Sequence, residues 1–294
     1  MTDVTDRLSA LAPSEASLPG YLFWLSRPRF WFYLAGPVIV GVVYGATATA
    51  EFFTPLSVAL FAYFLVPANV FLYGVNDVFD ADIDELNPKK SEEGREVRYR
   101  AGRAVTAAVL VSTLAGVAFV PFLPAEGTAA LAGFFLLGTA YSAPPLRLKT
   151  KPLLDSVSNG LYITPGIVAY AALTGAAPPA LIVAGGWVWT MGMHTFSAIP
   201  DIEPDRLAGI RTTATVLGER ATLGYCAACW LLAAALMGAV HPFFAAVLAV
   251  YPAFVLVIAA ASIRIDRAYW WFPVLNTFVG TILTLGGIWR IVYA

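Results

Sequence analysis

Charge is what this chain has least of. Only 13% of its 294 residues are Asp, Glu, Lys or Arg, about half the share of an ordinary soluble domain. With 59% hydrophobic residues, that scarcity excludes a soluble globular fold and predicts a polytopic membrane protein. Cysteine is nearly missing as well: Cys226 and Cys229 are the only two, so no disulfide framework exists. Their Cys-x-x-Cys spacing is that of redox and zinc motifs. They lie inside an apolar stretch with no second pair and no His nearby, and read as small apolar residues in a helix. Neither a Gly-x-x-x-x-Gly-Lys-[Ser/Thr] loop nor a Gly-x-Gly-x-x-Gly fingerprint occurs, which argues against nucleotide hydrolysis and dinucleotide redox chemistry. The formal net charge of −1 gives no reason to expect a nucleic-acid partner. Residues 1–26 form a polar tail without a basic segment followed by an apolar one, so no cleavable signal peptide is expected.

What is present is a series of apolar runs. Nine reach or approach the ~20 residues needed to cross a ~30 Å hydrocarbon layer: 30–49, 55–75, 104–123, 127–142, 158–175, 180–199, 222–240, 243–262 and 272–292. They are too long and too uniformly apolar for barrel strands, so the predicted fold class is all-α, a single transmembrane domain over 27–294. Eight Trp, 13 Tyr and 19 Phe supply the rings that anchor such helices at both interfaces. With nine crossings, 17 of the 18 Lys and Arg residues fall on one side, leaving only Arg290. That side is therefore predicted to be cytoplasmic, with the N-terminus there too, in the cell membrane. The long loops 76–103, 143–157 and 200–221 lie on the same side, which makes it the active face.

Two acidic clusters stand at the ends of apolar runs on that face. Asn76-Asp77-Val78-Phe79-Asp80-Ala81-Asp82-Ile83-Asp84 follows the second run. Continued as a helix, it places Asn76, Asp80 and Asp84 within an arc of about 80°. Asp201-Ile202-Glu203-Pro204-Asp205 follows the sixth run and places Asp201 and Asp205 one turn apart, although Pro200 and Pro204 interrupt the helix ladder. Charge at a bilayer edge needs compensation, and Mg²⁺ ions holding a phosphorylated, lipid-compatible substrate supply it. The bland alternative is a pair of solvated acidic caps. Between the clusters, Tyr141-Ser-Ala-Pro-Pro-Leu-Arg147-Leu-Lys149-Thr-Lys151 ends the fourth run and lays a basic strip across the face. Arg147 and Lys149 are placed to neutralise diphosphate oxygens, whereas Lys151 reads as ordinary positive-inside charge. Arg27, and Arg95 or Arg98, are further phosphate candidates.

Polar residues inside the runs complete the set. Asn69, on the face of Asn76, and Asn159, beside Asp155 and Ser156, are cavity-lining candidates. His194 reads either as a base or as a helix–helix hydrogen bond. Asn276 reads as interhelical glue, and His241 as an outer-loop residue.

Three patterns occur in order: Asn76-Asp-x-x-Asp80-x-x-x-Asp84, Tyr141-Ser-x-Pro-Pro-x-Arg147-x-Lys149 and Asp201-x-x-x-Asp205-x-x-x-Gly209. Together they resemble the UbiA superfamily of intramembrane prenyltransferases, over essentially the whole chain from Arg27. The resemblance implies nine helices around a central cavity under a cytoplasmic loop cap. It also implies Mg²⁺-dependent transfer from a prenyl diphosphate to a hydrophobic acceptor. Asn76, Asp80 and Asp84 would hold one Mg²⁺, Asp201 and Asp205 the other, with Arg147 and Lys149 on the diphosphate. Asp80, Asp201 and Lys149 would be the catalytic residues. The run Leu72 to Lys90 looks most like the lycopene elongase branch, which implies dimethylallyl diphosphate as donor and lycopene as acceptor, with membrane lipid around the protein. Other acceptors consistent with the superfamily are a geranylgeranylglyceryl phosphate lipid, a quinone precursor or a porphyrin-type ring. Two other classes pair acids with divalent cations. A soluble terpene synthase conflicts with the nine runs, and a transporter conflicts with acids at helix ends and no visible internal repeat.

Overall fold

The computed structural model describes residue 13 and residues 17–84 and 102–293, the side chains of 80–84 excepted. All regular elements among them are helices. The first half holds α1 (Leu18–Leu25), α2 (Trp31–Gly45), α3 (Pro55–Leu65), α4 (Pro67–Asp84), α5 (Arg103–Val117), α6 (Ala125–Ser142), α7 (Leu154–Val157) and α8 (Thr164–Thr174). The second holds α9 (Ala180–Ser197), α10 (Ile202–Leu207), α11 (Thr213–Leu217), α12 (Glu219–Gly238), α13 (Pro242–Leu248), α14 (Val250–Ala260) and α15 (Ile265–Tyr293).

Every one of the nine apolar runs falls on helix, but the crossings are uneven. Among the described residues, five stretches are both long and apolar enough to span a bilayer: Pro55–Phe79, Arg103–Phe122, Glu219–Gly238, Pro242–Ala260 and Ile265–Tyr293. The expected count of nine is thus not reached on length and composition. α2 and α8 are short, at 15 and 11 residues. α6 and α9 reach 18 residues but carry Gly, Thr, Ser and, in α9, His194. Helices packed among others tolerate such residues because protein, and not lipid, surrounds them. Burial separates the layers: 61% of the best window in Pro55–Phe79 is buried, against 17% in Arg103–Phe122 and in Ile265–Tyr293. The α3–α4 rod is therefore interior, while α5 and α15 form the outer wall.

Residues 18–25, placed by sequence in the polar tail, form α1. Ser17 caps it by accepting from Gly20 N at 3.2 Å, and its apolar spacing buries Tyr21 and Leu25 against Tyr73 of α4 and Val105 of α5.

Two apolar cores result. One gathers Leu34, Phe64, Phe71, Phe134 and Val168 from the first half. The other gathers Phe196, Trp230, Tyr251 and Phe272 from the second. Tyr162, between α7 and α8, packs against both. Within the cores, α2 packs on α8 and α9 on α12, while α15 against α2 joins one core to the other. Asn276 ties three helices as expected, accepting from Tyr251 OH at 2.9 Å and donating to Tyr33 OH at 3.3 Å. Cys226 and Cys229 are free and buried. His241 caps α13, accepting from Phe243 N at 3.2 Å.

α2 and the last helix are fastened at both ends. At one end Arg29 Nη2 donates to Trp270 O at 3.0 Å, with its guanidinium 4.2 Å from the Trp270 ring centroid. At the other, Arg290 Nη2 donates to Ala46 O at 2.8 Å and Tyr44 O at 3.1 Å, capping carbonyls that α2 leaves unpaired. In the turn beyond, Thr47 N donates to Glu51 at 2.7 Å, and this bond holds the Glu51 carboxyl below its usual range.

Where α2 meets α8, a Cβ added at Gly41 would run into the Gly166 carbonyl. Gly41→Ala is expected to cost about 1–3 kcal/mol, read as a lowered thermal unfolding midpoint in detergent. Gly36→Ala, where nothing lies within 4 Å, is the control. Equal midpoints for the two variants would refute this packing.

Candidate active site

α4 runs without a break from its apolar half to Asp84, so Asn76, Asp80 and Asp84 belong to one helix, as their spacing requires. The side chains of Asp80 and Asp84, and all of Arg95 and Arg98, lie outside the described residues. Asn76 is half-buried, and its Oδ1 accepts from Ser142 Oγ at 2.6 Å and from Lys149 Nζ at 3.4 Å. The end of α6 and the basic strip therefore meet on this one amide. Arg147 Nη2 donates to Phe79 O at 2.6 Å, which sets the strip beside the first acidic cluster.

Arg147 holds φ 42°, and the chain turns at once into a 3₁₀ segment, Leu148–Thr150. Arg27 does the same, with φ 50° before Pro28–Phe30. A left-handed backbone costs a non-glycine residue on the order of 1–2 kcal/mol. Here it turns two guanidinium groups toward α4. Arg27 lies 4.5 Å from the centroid of the Tyr73 ring, three residues before Asn76.

The second cluster follows a different local logic. α9 ends at Ser197, a 3₁₀ turn covers Ile199–Asp201, and α10 starts at Ile202. Both prolines then sit in first turns, Pro200 in the 3₁₀ segment and Pro204 in α10, where the missing N–H had no partner to lose. Asp201 and Asp205 are half-buried and Glu203 is exposed. α10 closes through Gly209, whose φ of +69° suits glycine, and Ile210 N returns to Asp205 O at 2.8 Å. Arg206 then holds Thr215 O at 2.8 Å.

A buried acid locks this loop to the basic strip. Asp155 of α7 accepts from Thr213 N at 2.8 Å and also from Thr213 Oγ1. Leu153 N donates to Thr213 Oγ1 at 2.7 Å. Sequence reasoning placed Asp155 beside a cavity residue and gave it no partner. It gives no partner to Ser142 or to Ser156 either, yet Ser156 lies between Tyr225 and Thr195 in a hydroxyl chain whose oxygens are 2.9 Å apart at each link.

The cavity candidates land in different settings. Asn69 spans the break between α3 and α4, donating to Phe64 O at 3.1 Å and Leu65 O at 3.0 Å, while its Oδ1 is buried and unpartnered among the described residues. Asn159 is buried and donates to Asp155 O at 2.5 Å. His194 is half-buried, its Nε2 3.3 Å from Tyr141 OH and the two rings edge to face. This pair joins α9, which leads into Asp201, to α6, which leads into Ser142 and Lys149.

The donors offered at both clusters are oxygens: the Asn76 amide and the Asp201 and Asp205 carboxylates. That chemistry fits a hard cation such as Mg²⁺. Among the described residues, which exclude the side chains of Asp80 and Asp84, no three His, Cys, Asp or Glu side chains come together.

The sequence pattern of the UbiA prenyltransferase family matches residues 34–284. A lycopene elongase/hydratase of Haloarcula japonica is 58% identical over 289 residues, 98% of each chain. A protein of the same description from Haloferax volcanii is 62% identical over 272 residues, 92% of this chain and 90% of that one. Among solved structures, a UbiA homologue from Archaeoglobus fulgidus bound to DMAPP and Mg²⁺ has a TM-score of 0.72. It covers 93% of this chain and 99% of its own at 18% identity, and so bears on the fold.

Proposed function

Because the chain belongs to the UbiA prenyltransferase family, we propose that it moves the five-carbon group of dimethylallyl diphosphate onto an end of lycopene with Mg²⁺. Hydration accompanies the transfer. The observation that carries this reading is the 58% identity to a lycopene elongase/hydratase along 98% of both chains.

Residues 27–294 act as one unit in the cell membrane, with the basic loop face toward the cytoplasm. Asn76, Asp80 and Asp84 hold one Mg²⁺, and Asp201 and Asp205 the other. Bound there, the ions neutralise the departing diphosphate. The protein's own groups do the rest. Lys149, 3.4 Å from Asn76 Oδ1, turns from that weak contact to a diphosphate oxygen. Arg27, Arg147 and Arg95 take further oxygens, and the left-handed turns at the first two hold them toward α4 before substrate arrives. Asn69 and Asn159 lie along the cavity. Aromatic rings keep water from the allylic cation and stabilise it by cation–π contact.

Membranes containing the protein, given Mg²⁺ and labelled dimethylallyl diphosphate, are expected to pass label to lycopene. Geranylgeranylglyceryl phosphate and 4-hydroxybenzoate, offered in the same assay, should stay unlabelled. Label in either of them would overturn the acceptor, and Mg²⁺-independent transfer would overturn the metal assignment.

A further inference from the structure

We infer that His194 is the base that takes the last proton of the reaction, at Nδ1, while its Nε2–H is held by Tyr141. The inference rests on the prenyl transfer proposed above and adds the residue that finishes it.

Geometry supports this in three ways. First, the Nε2···OH contact of 3.3 Å with Tyr141 is the only side-chain hydrogen bond His194 makes among the described residues. When Nε2 is the donor, the Nδ1 lone pair is left available. His194 is half-buried, and among the described residues its Nδ1 takes up no hydrogen bond. Second, His194 precedes Asp201 by seven residues on one helix and its following turn. At 1.5 Å per residue it stands about 10 Å deeper than the acidic cluster. The cation left on the acceptor also arises deeper than the diphosphate, beyond the carbon that leaves it. Third, other bases nearby are occupied. Asp155 has both oxygens engaged by Thr213, and Asp201 is assigned above to the metal.

The step balances. The allylic C–O bond breaks with its electron pair leaving on diphosphate. The π pair of the acceptor's terminal C=C forms the new C–C bond, which leaves a tertiary cation on the neighbouring carbon. A water oxygen donates a lone pair to that carbon, and the water proton passes to Nδ1 of His194. The product is a tertiary alcohol. Without a placed base for water, the same cation loses a neighbouring C–H proton to bulk acceptors and ends as an alkene.

The test is prenyl transfer to lycopene in H₂¹⁸O, read as the fraction of labelled product that carries ¹⁸O, a ratio independent of remaining turnover. Glutamine at position 194 still bonds Tyr141 but takes no proton. His194→Gln is therefore expected to lower the ¹⁸O-bearing fraction at least tenfold, with His194→Phe behaving alike. An unchanged fraction would overturn the inference, as would a wild-type product without ¹⁸O. Loss of all labelled product in both variants, with melting curves like wild type, would also overturn it, because a terminal base acts after the C–C bond forms. A wild-type protein that labels no carotenoid at all would instead refute the proposed function.

Discussion

Asp201→Asn is expected to slow Mg²⁺-dependent prenyl transfer by about 10²–10³-fold, the loss typical when one electrostatic stabiliser of a departing charge is removed. Asparagine keeps the volume and one oxygen but gives up the charge, so the helix turn at 199–201 should survive. The contrast within the same motif is Glu203, only two residues on. Its exposed side chain makes a 3.7 Å pair with Arg206, a contact worth little at a wet surface, so Glu203→Gln should transfer within about twofold of wild type. Both variants would be assayed in membranes with labelled dimethylallyl diphosphate across a Mg²⁺ series. Equal rates for the two would remove Asp201 from the metal site.

Asp155→Ala should have the second largest effect. It strands the Thr213 N–H and hydroxyl in a buried setting, at a cost of about 2–4 kcal/mol for a charged acceptor lost together with its desolvated partners. The damage should also reach catalysis, because Asp155 and Thr213 are the clasp between the loop bearing Lys149 and the loop bearing Asp201 and Asp205. The expected result is a lower unfolding midpoint in detergent together with a higher KM for the allylic diphosphate. Thr213→Val in the Asp155→Ala background should add little, since the two share one interaction. If the midpoint falls and KM stays constant, the clasp is structural alone.

The parts of this molecule legible in sequence are those governed by composition and short spacing. Apolar runs announce their helices because lipid leaves the backbone no other partner. The Asn76, Asp80 and Asp84 spacing is readable because α4 continues unbroken to its last acid. What sequence hides is long-range pairing of small polar groups. Ser142 and Asn76 lie 66 residues apart, and Thr213 and Asp155 58; a serine or threonine at a loop edge has no pattern that names its partner. Residues 158–163 show another limit. Their apolar character reads as the start of a crossing, yet they form a 3₁₀ segment before α8, which shortens that helix. Residues 18–25 are apolar throughout but number only eight, too few to register as a membrane run.

The double fastening of α2 to α15 has a topological consequence. Arg29 binds near the start of α15 and Arg290 reaches the end of α2, so the two helices run in the same direction, side by side. A chain whose outermost crossings are parallel neighbours must pass through the bilayer an odd number of times between entering the first and leaving the last. The seam between them joins two strokes of the same sense, and the start of α2 and the end of α15 lie at opposite ends of the helix array.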